Sequence, residues 1–304
     1  MIPFPKVLRI EPASKCNLAC VHCPTGVIEM SREVMSLDIF EKILIEIEKN
    51  KDKVKVIVLY HGGEPFLNKN FFYMLQEIRK INKNFYIKTV SNGNVLNEKI
   101  MQKIVESDLD LIEFSLDGVS AEDSEQIRKK SKTVRAVKNI KYLLKLKKDL
   151  SKNKPEIKIC STQFYKDKKD VKSDEIPKTA HWILENFKNE DVNFKNFFAM
   201  QWPSMTGKLN EFETVKVENE HDKDYCDHVV NTLTIRSDGE VVPCCYDLTT
   251  ELSMGNVKKN SLEEIWYNSK YNELRKSINS KKYISICNNC NEVRPSIFLI
   301  RNSS

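Results

Sequence analysis

The sequence from Cys16 to Cys23 reads CNLACVHC, which places Cys16, Cys20 and Cys23 in a C-x3-C-x2-C pattern. Thiolates are the usual ligands of iron–sulfur clusters, and a four-iron cluster with three protein ligands keeps one iron with an open coordination site. An open site can hold a substrate or cofactor. Zinc is the alternative, because His22 could be a fourth ligand. Adjacent His and Cys ligands fit one tetrahedral ion poorly, however.

The cysteine loop follows the first of several short β-rich runs that alternate with helical patterns. Such alternation predicts an α/β fold with a parallel sheet and right-handed crossovers. Six units predict a partial (β/α)6 TIM-like barrel, in which the chemistry lies on the loops that follow the strands. The predicted strands are residues 7–11, 54–60, 85–90, 111–116, 157–163 and 193–199.

Three further motifs follow the second, third and fourth predicted strands. They are Tyr60-His61-Gly62-Gly63-Glu64-Pro65, then Ser91-Asn92-Gly93, then Ser115-Leu116-Asp117-Gly118 with Arg128 downstream. Taken singly, the Asn-Gly pair is an ordinary turn signal and Arg128 fits a solvated helix. Their shared position after the strands predicts that they meet the cysteine loop in one site.

In this order the motifs resemble the signature of the radical S-adenosylmethionine (SAM) superfamily, and the resemblance covers residues 5–295. Many members have an aromatic residue where His22 stands. The resemblance implies that Cys16, Cys20 and Cys23 hold a [4Fe-4S] cluster whose open iron binds SAM. It also implies that SAM is contacted by Gly62, Gly63, Glu64, Pro65, Ser91, Asn92, Ser115, Asp117 and Arg128.

A second unit begins after a polar stretch at residues 203–220, which is predicted to be a connection. We therefore expect a barrel domain at residues 1–205 and a small iron–sulfur domain at residues 206–304. Asp238-Gly239 between apolar residues predicts a β-hairpin. The run from Ser261 to Glu264 is a capping box and predicts a helix.

The cysteines of the second unit resemble the SPASM extension in its shortened form, the twitch domain. This resemblance implies one auxiliary [4Fe-4S] cluster, with the ligands Cys226, Cys244, Cys287 and Cys290. A zinc knuckle on the same residues is the alternative. Cys245 either packs as a small apolar residue or acts catalytically by donating a hydrogen atom to a substrate radical. Cys160 is expected to be buried and inert.

Composition and charge limit which partners and which cell compartment we expect. The chain has 304 residues, nine cysteines and a net charge of +6. Clustered cysteines bind metal more often than they form disulfides in reducing compartments. Without a secretory signal or a bilayer-spanning apolar run, we expect a cytoplasmic protein that needs no membrane. The lysines are scattered over helix-like segments, which disfavours nucleic acid as a partner.

The family resemblance implies reductive cleavage of SAM to methionine and a 5′-deoxyadenosyl radical, which removes a hydrogen atom from the substrate. A flavodoxin or ferredoxin is the expected electron donor. The cysteine layout is similar to that of 2-deoxy-scyllo-inosamine dehydrogenase, a twitch-bearing member. It therefore favours oxidation of an alcohol of a small-molecule sugar or cyclitol, with the auxiliary cluster as electron acceptor.

Three alternatives stay open. A radical epimerase of a sugar or peptide residue would use a thiol such as Cys245 to return hydrogen. A peptide maturase is less favoured, because such enzymes often carry an N-terminal leader-binding domain, and here the cluster loop starts by residue 16. In a non-catalytic iron–sulfur or zinc module, the SAM-contact motifs would have no purpose.

Metal analysis tests the two-cluster interpretation. After anaerobic reconstitution we expect about eight irons per chain, falling to about four when Cys16, Cys20 and Cys23 are all changed to Ala. Iron and sulfide content measures this. A native chain with about four irons that loses all of them in the variant would contradict the second cluster.

Overall fold

The computed structural model describes residues 2–172, 175–209, 211–218 and 220–301. In these residues the strands are β1 (Val7–Ile10), β2 (Ala19–Cys20), β3 (Val56–Val58), β4 (Tyr86–Ser91), β5 (Leu111–Ser115), β6 (Arg128–Lys129), β7 (Glu156–Gln163), β8 (Asn193–Phe198), β9 (Glu213–Lys216), β10 (Thr232–Ile235), β11 (Glu240–Val242), β12 (Gly255–Asn256) and β13 (Ile297–Ile300). The α-helices are α1 (Pro24–Val27), α2 (Leu37–Lys49), α3 (Phe71–Ile81), α4 (Glu98–Glu106), α5 (Ala121–Ile127), α6 (Thr133–Asp149), α7 (His181–Phe187), α8 (Asp227–Asn231), α9 (Leu262–Trp266) and α10 (Ser269–Asn279). Across the described ranges, no helix has both the length and the apolar character that crossing a membrane requires.

The main sheet confirms the predicted α/β barrel architecture. In the described part of the chain its order is β12-β11-β10-β1-β3-β4-β5-β7-β8. From β1 to β8 each neighbouring pair is parallel. These six parallel strands correspond to the six predicted ones. Because β12 and β8 stand at opposite ends of the strand order, the barrel is partial.

Side chains alternate across the barrel strands. One face carries Leu8, Ile57, Ile87, Ile112 and Ile159, which are fully buried and share one apolar core with residues of the surrounding helices. Successive residues of a strand point to opposite faces. The intervening residues therefore face the concave side of the sheet, which we call the lumen. The lumen face is polar, and it leads to the carboxyl ends of the strands.

Local signals set the helix starts as predicted. The Ser36 hydroxyl accepts a hydrogen bond from the Ile39 N–H at the start of α2. At α9, Ser261 and Glu264 form the reciprocal capping box. Each pattern satisfies backbone N–H groups that the first helical turn cannot pair. Both helices therefore begin where the sequence predicted.

The second unit forms the predicted hairpin, but the hairpin joins the barrel sheet. Strands β10 and β11 are antiparallel, and Gly239 between them has φ +87°. Strand β10 also pairs in parallel with β1, with Leu233 opposite Leu8. Nothing local in the sequence indicated this long-range pairing. One sheet thus runs from the hairpin into the barrel, and the boundary at residue 205 stays a prediction.

The prediction that residues 203–220 are only a connection is wrong. The segment includes β9, which pairs antiparallel with β13. Strand β9 has mostly exposed residues with one half-buried Val215, so it lacks the apolar signal of a core strand. Its partner β13 supplies buried Phe298 and Ile300, which form a small satellite core with Tyr165.

Trp266 offers a test of the core. It is fully buried, its indole N–H donates to the Pro3 carbonyl at 2.9 Å, and the Arg275 guanidinium lies 4.2 Å from its ring. We expect Trp266→Ala to lower the free energy of unfolding by about 3–5 kcal/mol, because the neighbouring side chains relax only partly into the large cavity that it leaves. Denaturant unfolding measures the change. Val134→Ala is the control, since Val134 is 75% exposed; equal effects of the two substitutions would contradict the role of Trp266.

Candidate active site

The predicted motif residues meet in one cavity at the carboxyl ends of β1, β3, β4 and β5. Its lining includes Cys16, Cys20, Cys23, Gly62, Gly63, Glu64, Ser91, Asn92, Ser115 and Arg128. Asp117 lies fully buried behind Arg128, and Pro65, which is also buried, begins a 3-10 turn directly after Glu64. The structure therefore brings together residues from four separate loops, as the barrel prediction required.

The cysteine loop is held by a short strand pair that the sequence did not indicate. Strand β2 pairs antiparallel with β6, so that Cys20 stands opposite Arg128. The Val21 N–H also donates to the Ile127 carbonyl at 2.9 Å. Two residues per strand are too few to leave a periodic pattern. This pairing brings the Arg128 cation to the cysteine loop.

The Gly62-Gly63-Glu64 segment packs directly on the backbone before Cys16. The Glu64 N–H donates to the Lys15 carbonyl at 2.8 Å. A Cβ atom on Gly63 would clash with the carbonyl oxygens of Ala13 and Lys15. Glycine is therefore needed here for close backbone approach. The segment fixes the position of the cysteine loop as well as lining the cavity.

Glu64 is a buried carboxylate inside a hydrogen-bond network. It accepts bonds from the Ser91 hydroxyl at 3.0 Å and from the Asn92 N–H at 2.9 Å. Burial raises the pKa of Glu64 to about 7, although these hydrogen bonds and the Arg128 charge lower it. A bound cation, such as an amino group, would favour the ionised form. Glu64 is thus suited to bind a positively charged ligand group.

Asp117 orients Arg128. Its carboxylate accepts bonds from Arg128 Nη1 at 2.7 Å and from the Thr162 N–H at 2.9 Å, and His22 Nε2 lies 3.9 Å away. Burial opposes ionisation, but Arg128 and His22 still hold the pKa of Asp117 below its ordinary value. The buried Arg128 Nε has no hydrogen-bond partner among the described residues. A spare donor is therefore present beside the cavity.

The thiols of the loop suit a positively charged metal centre. Burial raises the pKa of Cys20 to about 12, while the Arg128 charge lowers it, and burial also raises the pKa of Cys16. Ionised ligands in this setting need further positive charge, which bound metal supplies. Both ring nitrogens of His61, which lines the same cavity, are buried and have no partner in the described ranges.

The second predicted cysteine set lies in the apolar core of the chain. Cys226, Cys244, Cys287 and Cys290 are all 8% exposed or less. Burial raises the pKa of Cys244, and the nearby Cys290 and Cys287 raise it further. Within the described ranges, no three His, Cys, Asp or Glu side chains are arranged around a single metal ion. In a four-iron cluster each thiolate binds a different iron, so its ligands need not converge on one point.

Cys245 lies beside His228 and is close enough to Arg9 to interact with its charge. Its sulfur is 3.8 Å from His228 Nε2. Burial opposes ionisation of this thiol, but Arg9 and His228 lower its pKa below the ordinary value.

Cys160 is half-buried, so the prediction that it is buried is wrong. The alternation of β7 places it on the lumen face. Burial raises the pKa of Cys160 to about 12.

Comparison with known proteins agrees with this geometry. The family model of the radical SAM superfamily matches residues 10–153, and that of the SPASM iron–sulfur cluster-binding domain matches residues 226–291. The chain therefore contains a radical SAM domain followed by a SPASM domain. It is a radical SAM enzyme with an auxiliary-cluster domain, and its cofactors are SAM, a [4Fe-4S] cluster at the SAM site and an auxiliary [4Fe-4S] cluster.

Similar proteins cover almost the whole of this radical SAM chain. The tungsten-containing aldehyde ferredoxin oxidoreductase cofactor-modifying protein of Pyrococcus furiosus is 27% identical over 94% of this chain and 87% of that protein. A crystal structure of BtrN in complex with AdoMet and 2-DOIA has a TM-score of 0.60 at 16% identity and covers 96% of this chain and 94% of that chain. The structure of anSMEcpe with bound AdoMet and Cp18Cys peptide has a TM-score of 0.61 at 18% identity, with 93% and 85% covered. The two structures share the fold.

Sequence reasoning missed the residues that join the radical SAM barrel to the hairpin. The Glu11 carboxylate accepts bonds from the Gly62 N–H at 2.8 Å and from the Ser237 N–H at 3.0 Å. Arg236 Nε lies 3.8 Å from the same carboxylate, and both residues are 2% exposed. Glu11 ends a predicted strand and Arg236 follows another. Only their position directly after a strand could have singled them out.

Gly63 provides a test of how the first cluster loop is held. We expect Gly63→Ala to lower the iron content after reconstitution by up to about half, because its methyl group would displace the backbone that carries Cys16. Iron analysis and thermal unfolding measure this. Gly207→Asn is the control, since a Cβ at Gly207 meets nothing within 4 Å and asparagine tolerates its positive φ of +73°. Full iron content in Gly63→Ala would contradict the packing argument.

Proposed function

We propose that this radical SAM enzyme is a dehydrogenase that oxidises an alcohol of a sugar or cyclitol. One observation carries the proposal: Arg9, on the lumen face of β1, lies beside Tyr60 and near the second cysteine set. Its guanidinium lies 5.4 Å from the ring of Tyr60, which lines the first cavity. The same guanidinium interacts electrostatically with Cys244 and Cys245. Both sites therefore adjoin one lumen, as a reaction that uses both clusters requires.

The ligands that we assign follow from the two cysteine sets. Cys16, Cys20 and Cys23 hold the cluster at the SAM site, and Cys226, Cys244, Cys287 and Cys290 hold the auxiliary cluster. When bound, SAM and its cluster supply the radical that removes a substrate hydrogen, and the auxiliary cluster supplies an acceptor for the electron that remains. A small electron-carrier protein, such as a flavodoxin or ferredoxin, is the proposed reductant.

In this proposal, side chains of the protein bind and orient SAM. Glu64 is positioned by Ser91 and Asn92 to receive the amino group of SAM. Arg128, aligned by Asp117, offers its unpartnered Nε–H to the SAM carboxylate. Preorganised groups of this kind cost little reorganisation when the ligand arrives. They fix the orientation of SAM in the cavity.

The comparison with BtrN supports this choice of substrate class. That protein is crystallised with AdoMet and 2-DOIA, and its fold matches this chain over nearly all of both chains. The proposed alcohol oxidation also gives the auxiliary cluster a purpose. The carbon radical that remains after hydrogen removal becomes a carbonyl by losing its hydroxyl proton to solvent and one electron to the cluster.

Radical epimerisation of a sugar or peptide residue is the second candidate, and the position of Cys245 favours it. Its sulfur lies near Arg9 in the lumen and 3.8 Å from His228 Nε2. A thiol placed there could return a hydrogen atom to a substrate radical. A peptide substrate is compatible with the peptide-bound structure of anSMEcpe.

Product analysis separates the two candidates. The reconstituted enzyme is incubated with SAM, dithionite and a panel of sugars and cyclitols, and 5′-deoxyadenosine and carbonyl product are quantified. We expect Cys290→Ala to retain 5′-deoxyadenosine formation and to lose carbonyl product at least about tenfold. Cys160→Ala is the matched control and should keep both.

The Cys245→Ala variant tests the epimerase candidate. If this variant still forms 5′-deoxyadenosine but no product, and the native product is an epimer, the epimerase is correct and the dehydrogenase is not. A carbonyl product that Cys245→Ala forms at the native rate supports the dehydrogenase. Cleavage of SAM without carbonyl product from any alcohol in the panel would contradict the dehydrogenase.

A further inference from the structure

Three cations share the lumen face of the barrel. Cys160 is the register partner of both Ser115 and Lys195, and Ser115 lines the SAM cavity. Paired residues on adjacent strands project to the same side of a sheet. Lys195 is therefore on the face that leads to the cavity. Arg9 and Lys88 are both partnered with Val58 on the strand between them, so they share one face too.

Few acids balance these cations. Glu113 lies 3.8 Å from Lys88, a long ion-pair distance. Glu156 pairs instead with Lys158 at 3.1 Å, toward the other end of the barrel. In the described part of the chain Lys195 forms no ion pair and lies 4.8 Å from the Phe197 ring. The lumen beside the cavity therefore has an excess of positive charge.

Arg9 has an unmet hydrogen-bonding need. Its Nε is buried and has no hydrogen-bond partner among the residues described. A buried donor without a partner is costly, and burying an unpaired charge is costlier. Tyr60 contacts the guanidinium through its ring face, and the Cys245 thiol is close enough to interact with its charge. Neither contact supplies a carboxylate or phosphate, which a guanidinium binds best.

The cations also repel one another. Burial lowers the pKa of Lys88, and Lys195 and Arg9 lower it further, although Glu113 acts in the opposite direction. Charges of one sign raise each other's energy, and water screens this effect less at the half-buried Arg9 and Lys88 than at the exposed Lys195. An anion bound between them would remove this repulsion. The three side chains are thus arranged as parts of one anion site.

We infer that the substrate carries an anionic group, a carboxylate or a phosphate, which Arg9, Lys88 and Lys195 bind in the lumen beside the SAM cavity. The inference rests on the proposed function and narrows its substrate to acidic or phosphorylated sugars and cyclitols. Arg9 and Lys195 act as specificity-determining residues, because they anchor the charged end while the alcohol carbon faces the cavity.

Matched ligand pairs test the inference by calorimetry on the reconstituted enzyme with SAM present. The pairs are myo-inositol with inositol 1-phosphate and galactose with galacturonate. We expect a charged member to bind at least about tenfold more tightly than its neutral parent. The phosphate and carboxylate arms identify which anion is recognised. Arg9→Met and Lys195→Met should remove the preference, whereas Lys158→Met, on the same face but paired with Glu156, should keep it.

Binding and turnover are measured separately. Three results would overturn the inference. The first is equal affinity for neutral and charged members, and the second is no binding of any charged member at roughly 10 mM ligand, the weak limit of specific recognition. The third is an equal loss of preference in Lys158→Met. Iron content and thermal unfolding verify that each variant is folded. If the charged member binds with the expected preference but yields no carbonyl product, the anion site stands and the proposed dehydrogenase does not.

Discussion

The buried carboxylate of Glu11 is the interaction on which the arrangement of the site depends. It accepts hydrogen bonds from the N–H groups of Gly62 and Ser237, which lie on different loops. A buried carboxylate without such partners would be strongly destabilising. Satisfying it therefore requires the end of β1, the glycine segment and the hairpin to come together. These are the segments that carry or flank the two cysteine sites.

Electrostatics then divides the molecule into complementary regions. The cavity at the cysteine loop has a buried acid, Glu64, whose pKa lies near 7, and a cation, Arg128, which is fixed by Asp117. A ligand with both an amino and a carboxylate group meets an opposite charge at each. The lumen beyond it is mainly cationic. The boundary between these regions lies at Tyr60, which touches both the cavity and Arg9.

The polar lumen distinguishes this barrel from one whose interior is filled by branched apolar side chains. Because the sheet is partial, its concave face is not closed into a packed core. Polar residues such as Glu113 and Cys160 can then alternate with buried apolar ones along the strands. The apolar alternation stabilises the fold against the helices, and the polar alternation provides the space where a substrate can bind.

The sequence alone determined much of this architecture, because the relevant signals are local. The C-x3-C-x2-C loop, the motifs after successive strands, the Asp238-Gly239 turn and the Ser261 capping box each depend on residues that are close along the chain. Tertiary structure decided the rest. Pairing of β1 with β10, the bonds from Glu11 to Gly62 and Ser237, and the meeting of Arg9 with Cys245 join residues far apart in sequence. No local pattern records such contacts, since their free energy arises only when the sheet brings the partners together.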